Sequence, residues 1–183
     1  MKVILQKLET FAAIMRRAHP HLLAHSITTA RLVEKVIPHL PWGGYASQAV
    51  LLAGAFLHDI GKAGWPPELF TKYPLEVHDW GLVKAHPVAG ASLVREIWPD
   101  IPAQVVEIIY SHHERPGGKG YPEGKEPPYP ALVVAACEVF DAMTHDRGYR
   151  EALPAGMAVE EISRWAPGEV VEAVKRALGV KKV

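Results

Sequence analysis

Apolar residues recur three and four positions apart along almost the whole chain, and this spacing limits the fold more than any other feature. Leu5, Leu8, Phe11, Ala12 and Met15 form one such stripe, and Leu22, Leu23, Ile27, Ala30, Val33 and Val36 form the next. A helix with one buried face shows this period, whereas a half-buried strand alternates. No period-two run of useful length occurs. The spacing predicts helices over about 5–15, 22–37, 47–60, 77–97, 102–112 and 130–145, then two short ones over 159–165 and 169–178. Pro20 suits the first turn of the second helix, where its missing N–H costs nothing. Ser47 suits an N-cap and Gly61 a stop for the third. That third segment, AVLLAGAFLHDI, is apolar nearly all round and is expected at the centre. The reading is an all-α fold: one compact domain over 1–183, without internal repeat or dividing linker.

Composition narrows the classes. A chain of 183 residues can bury a real core without staples. The single cysteine, Cys137, excludes an intramolecular disulfide and fits a reducing compartment. Twenty Lys+Arg balance twenty Asp+Glu, so a general binder of DNA or of anionic membranes is not expected. The N-terminal apolar stretch is broken by Gln6, Lys7 and Glu9, and no window suits a membrane span, which points to a cytoplasmic protein. Absence of Asn, only three Gln and 16 Pro match a thermophile tendency.

The anomalous count is ten histidines. His58-Asp59 closes the most apolar segment, where an adjacent polar pair is costly unless something satisfies it. Alone the pair could equally be a capping or packing pair. Its company argues otherwise: His25 on the second helix, His86 before Pro87 on the fourth, and His112-His113 at the end of the fifth all offer imidazole. Mixed imidazole and carboxylate donors suit iron or manganese. Glu138, Asp141 and His145 share a face of an otherwise apolar helix and call for a metal or a cation. Lys62, Arg147 and Arg150 supply cations nearby in sequence. The segment 114–129 is long for an idle loop.

HDIGK at 58–62, KAHP at 84–87, HHERPGGKGYP at 112–122 and EVFDAMTHDRGYR at 138–150 together resemble the HD-GYP family, a branch of the HD metal-dependent phosphohydrolases, over roughly residues 20–155. The resemblance implies an all-helical fold and a centre of two divalent ions, iron or manganese. It also implies hydrolysis of the bacterial messenger cyclic di-GMP to pGpG or GMP by metal-activated hydroxide attack. By position, it makes His25, His58, Asp59, His86, His112, His113 and Glu138 metal ligands, with Asp59 bridging. Asp59, Lys62 and Asp141 become catalytic, Lys62 meeting substrate phosphate while held by Asp141. Arg147 and Arg150 grip the rest of the dinucleotide, and Gly118, Gly120, Tyr121 and Pro122 form a loop near substrate or a partner. A diguanylate cyclase or another signalling protein is the kind of partner implied.

The chain departs from the family at His21, where trinuclear members carry Glu. His21 becomes a candidate extra ligand, and two metals are expected, not three. Glu138 replaces the family's Asp, and Gly117 replaces an acidic residue. His19, His39 and His78 read as surface residues, and the five Trp with Phe56, Phe70 and Phe140 as core. Trp65 and Tyr73 could instead line a base pocket. Two alternatives stay open: a sensor or interaction module that binds a cyclic dinucleotide without turnover, and an HD phosphohydrolase acting on another nucleotide phosphoester.

Overall fold

The computed structural model describes residues 2–41, 46–145 and 151–180. They form eight α-helices and no strand: α1 (Lys2–Ala18), α2 (Pro20–Val36), α3 (Gln48–Leu57), α4 (Asp79–Ile97), α5 (Ala103–Ser111), α6 (Tyr129–Thr144), α7 (Ala155–Ser163) and α8 (Gly168–Leu178). Each predicted helix has its counterpart. α2 packs on α1, α3 and α6, while α5 packs on α3 and α4. Phe11, Met15, Val33, Leu57, Ile108 and Ile109 meet in the fully buried centre. Among the described residues no helix is long and apolar enough to cross a membrane.

The caps follow the sequence. Pro20 opens α2, and Ser47 Oγ accepts the Val50 N–H at 3.3 Å. His19, read only as a surface residue, caps α2 by accepting the His21 N–H on Nδ1 at 3.3 Å, and its ring lies flat against Phe70 at 4.5 Å.

α3 ends at Leu57, earlier than expected, and Gly61 is not its stop. Asp59 leaves helical geometry at φ −98°, ψ 6°, and a 3-10 turn spans Ile60–Gly64. Gly61 is required for a different reason: a Cβ there would stand 2.0 Å from the His86 carbonyl oxygen and 2.6 Å from the Gly90 nitrogen. The missing side chain lets this turn lie directly on α4. That close approach brings Asp59 to His86.

Candidate metal centre

Five histidines and one aspartate converge where α2, the end of α3, α4 and the end of α5 meet. His58, His86 and His112 are fully buried, and each ring is oriented by a backbone carbonyl three residues earlier. Nδ1 of His58 lies 2.8 Å from Ala55 O, Nδ1 of His86 2.6 Å from Val83 O, and Nδ1 of His112 2.8 Å from Ile109 O. A carbonyl only accepts, so each Nδ1 carries its proton, and in the neutral ring Nε2 presents a lone pair.

The sequence explains why those carbonyls are free. Ala55 and Ile109 lie in the last turns of α3 and α5, where carbonyls lack helical partners. Val83 O would accept from residue 87, but Pro87 has no N–H. The His-Pro pair in KAHP therefore makes its own acceptor.

The Nε2 atoms face one another: His86 to His112 at 3.1 Å, and His58 to His25 at 3.3 Å. With Nδ1 protonated in His86 and His112, these neutral rings oppose lone pairs, an arrangement that calls for a cation between them. Asp59 divides its oxygens between two such groups. Oδ1 lies 3.1 Å from His86 Nε2 and 3.7 Å from His112 Nε2, while Oδ2 lies 3.5 Å from both His25 and His58. The 3.1 Å contact is short enough for a hydrogen bond but lacks its geometry, which leaves buried Oδ1 without a hydrogen-bonding donor. Ligand atoms of Asp59, His86, His112 and His113 lie within 4.8 Å of one another, as do those of His25, His58 and Asp59. The donor set thus fits two cations sharing one carboxylate.

Protonation favours the same state. Burial lowers the pKa of His112 to about 4, and it lowers those of His25 and His86 against the opposing pull of their carboxylate partners. His113 is also held well below the usual imidazole range, by burial and by the neighbouring His112 and His86. For Asp59, burial pushes upward, but Lys62 and His58 prevail and hold it well below the usual carboxylate range. Burial would lower His58, but the charge and hydrogen bond of Asp59 raise it overall. These imidazoles, His58 apart, favour the neutral form around an ionised carboxylate, the state a metal site requires.

Lys62 Nζ donates to Asp59 Oδ2 at 2.6 Å. The expected pairing of Lys62 with Asp141 is therefore not found. Asp141 instead accepts from His25 Nδ1 at 2.5 Å, and its other oxygen lies 2.8 Å from His145 Nδ1. A carboxylate behind a ligating imidazole fixes its tautomer and strengthens its basicity. His145, undecided from sequence, approaches Asp141 without hydrogen-bond geometry, which leaves the buried Oδ1 with no hydrogen-bonding partner.

Glu138 stands outside both groups. Its Oε1 is 4.0 Å from His113 Nε2, and its buried Oε2 has no hydrogen-bonding partner, so it remains a candidate ligand. His21 is exposed, stacked on His19 at 5.2 Å, and absent from both groups. Arg147 and Arg150 lie outside the described residues, as does Trp42.

A cavity of about 750 Å³ opens beside the centre. Asp59, Lys62, His25, Asp141 and His145 line one part of it, and Trp65, Phe70, Tyr73 and Trp80 another. Trp65 and Tyr73 match the base-pocket reading. Trp80, read as core, is 45% exposed at the cavity wall because it sits on the solvent side of the first turn of α4.

Gly118, Gly120, Tyr121 and Pro122 do not line this cavity. Their segment folds back on the end of α5. Buried Glu114 accepts the N–H groups of Glu123, Gly124 and Lys125 at 2.7–3.1 Å, and Tyr121 stacks on His113 at 4.6 Å. At Gly120 a Cβ would lie 2.3 Å from His113 O. Arg115 donates to the carbonyls of His112 and Glu114 at 2.8 Å and lies over the Trp165 ring at 4.2 Å. The loop props His113 from behind.

Comparison with known proteins agrees with this geometry. The HD domain family model matches residues 9–167. The chain belongs to the HD domain family. A cyclic di-GMP phosphodiesterase of Pseudomonas aeruginosa is 30% identical over 177 residues, which is 92% of this chain and 42% of that protein. Another, of Thermotoga maritima, is 36% identical over 126 residues, or 64% of this chain and 34% of the relative. A 3′3′-cGAMP-specific phosphodiesterase of Vibrio cholerae is 27% identical over 178 residues, covering 93% and 38% respectively. The chain therefore spans less than half the length of these relatives. Among solved structures, the HDG"Y"P protein of Bdellovibrio bacteriovorus superposes with a TM-score of 0.70 at 23% identity, over 86% of this chain and 52% of the other. The HD domain of the L. monocytogenes phosphodiesterase PgpH, solved with cyclic-di-AMP, gives 0.66 at 16% identity over 92% and 93%. Both likenesses establish the all-helical HD fold.

Proposed function

We propose that this HD domain is a metal-dependent phosphodiesterase that hydrolyses a cyclic dinucleotide, cyclic di-GMP first among them, to pGpG or GMP. The observation that carries the proposal is the division of Asp59 between two imidazole groups at the edge of a cavity large enough for a nucleotide. The names of the relatives support the substrate class.

His86, His112 and His113 would hold one cation and His25 and His58 the other, with Asp59 shared and Glu138 adjoining the first group. The donors are imidazole and carboxylate; Cys137 is buried in the core with its thiol pKa pushed up, which suits iron or manganese rather than a thiolate metal. When bound, such ions acidify a water and offset charge on phosphoryl oxygens. Lys62 lines the cavity beside Asp59 and places a fixed positive charge where a phosphate enters. Asp141 holds His25 in the tautomer that leaves Nε2 directed at the centre. Arg147 and Arg150 complete the phosphate grip in this reading. A chain with no net charge then meets its anionic substrate through local cations alone.

Anaerobically purified protein loaded with iron or manganese should convert cyclic di-GMP to pGpG or GMP. Intact substrate after hours, beside a working control enzyme, would refute the proposal. Calorimetric binding without turnover would assign the site to a sensor instead.

A further inference from the structure

Four of the five imidazoles at the centre are oriented by a hydrogen bond from Nδ1: His58, His86 and His112 to a backbone carbonyl, and His25 to Asp141. His113 is held differently. Its Nε2 lies 4.0 Å from Glu138 Oε1, too far for a hydrogen bond. What touches the ring is other rings: His112 tilted against it at 4.2 Å, His86 edge-on at 5.0 Å, and Tyr121 stacked at 4.6 Å with 23° between the planes. His86 and His112 are fixed by their own carbonyls and belong to the same candidate cation group. Tyr121 is the contact that comes from outside it.

The chain is built to put Tyr121 there. Its N–H donates to His113 O at 3.2 Å, so backbone and ring meet the same residue. One residue earlier, a Cβ on Gly120 would stand 2.3 Å from His113 O, 2.4 Å from Glu114 Cα and 2.5 Å from Arg115 N, so only glycine lets the segment lie this close. Just beyond, buried Glu114 collects the amides of Glu123, Gly124 and Lys125. Tyr121 is thus anchored on both sides along the chain and through its own amide. It does not line the cavity. A ring anchored outside the cavity acts through what it stacks on.

We infer that Tyr121 is the positioning residue for His113. Its stacked face fixes the imidazole plane, as the Nδ1 bonds do in His58, His86 and His112. It thereby sets the affinity of the cation group formed by Asp59, His86, His112 and His113, and leaves the group of His25, His58 and Asp59 untouched. The inference rests on the two-cation reading of the centre. Partners that orient a ligating ring typically contribute about 10–100-fold to metal affinity. Here the partner is a ring face and not a hydroxyl, because aromatic pairs at this spacing attract through their faces and edges.

The test titrates manganese(II) into metal-free protein against a chelator. Wild type should bind two equivalents. Tyr121→Leu should bind one of them about 10–100-fold more weakly and the other as before. Tyr121→Met, equally without a ring, carries the same expectation if Tyr121→Leu does not fold. Tyr121→Phe keeps the stacked face and should bind as wild type. In a His113→Ala background, Tyr121→Leu should cause no further loss, since its effect passes through His113. Equal weakening of both equivalents, a Tyr121→Phe variant as weak as Tyr121→Leu, or additive losses in the double variant would each overturn the inference. Wild-type protein that takes up both equivalents yet leaves cyclic di-GMP intact would refute the phosphodiesterase reading while leaving the role of Tyr121 standing. Fewer than two equivalents in the wild type would overturn both.

Discussion

Substituting Gly61 by Ala tests how the fold brings Asp59 to the imidazoles. The added Cβ would stand 2.0 Å from the His86 carbonyl oxygen, against the 3.0 Å below which real contacts essentially do not occur. The turn and α4 must therefore separate by at least 3.0 − 2.0 = 1.0 Å. The neighbour is backbone, so no side-chain rotation relieves the overlap. Overpacking costs typically about 1–3 kcal/mol, and a backbone clash belongs at the upper end. For a chain of this size about 3 kcal/mol lowers Tm by roughly 6–12 °C. The same separation would stretch the 3.1 Å approach of His86 Nε2 to Asp59 Oδ1 and weaken the centre. Gly64→Ala, in the same turn with nothing within 4 Å of its Cβ, is the control. It should be neutral, or stabilising by up to about 1 kcal/mol through the unfolded chain. Thermal unfolding of the metal-free proteins, followed by metal titration, reads both effects. If Gly61→Ala unfolds with Gly64→Ala and binds metal as tightly, the close approach does not organise the site.

Asp141→Asn removes the carboxylate behind His25 and should weaken metal affinity about 10–100-fold in a competition titration, with little change in helix content. In the metal-free protein, His112 has a folded pKa of about 4 against 6.5 unfolded, so the unfolded chain binds more protons between those values. Its contribution, about 3 kcal/mol, is complete above pH 6.5 and lost as pH falls toward 4; a Tm flat across that window would contradict the burial argument. His25, His86 and His113 shift in the same direction, and His58 opposes them. Glu114→Gln replaces an oxygen that accepts backbone N–H groups with a donor and should cost roughly 1–3 kcal/mol. Hydrogen exchange should accelerate at the amides of Glu123, Gly124 and Lys125, and unchanged protection there would count against the prop behind His113.

The helices were legible because their apolar stripes are sustained and six of the eight start at a capping residue or a proline: His19 with Pro20, Ser47, Pro102, Pro128, Pro154 and Pro167. The candidate ligand histidines were legible through motif order, and the structure adds what orients three of them: carbonyls freed at the ends of α3 and α5, and by Pro87 within α4, accept the Nδ1 protons of His58, His112 and His86. Pairings across the fold were not legible. Lys62 chooses Asp59 over Asp141 because a three-residue offset in a 3-10 turn brings the two side chains together, whereas Asp141 on α6 is claimed from α2 by His25. Nothing in the order of residues reports that crossing. The GYP segment likewise gave no sign that Glu114 would gather its amides and turn Tyr121 onto His113. His21 keeps helical spacing with His25, but one turn nearer the N-terminus of α2 it is exposed and taken up by His19.

The most direct test of the shared carboxylate is the metal content of anaerobically purified protein, measured by elemental analysis for wild type and Asp59→Ala. Two clusters meeting at one aspartate should hold two equivalents in the wild type and neither firmly in the variant, with loss of cyclic dinucleotide hydrolysis. A variant that keeps both metals, or turns over substrate with none, would contradict the account.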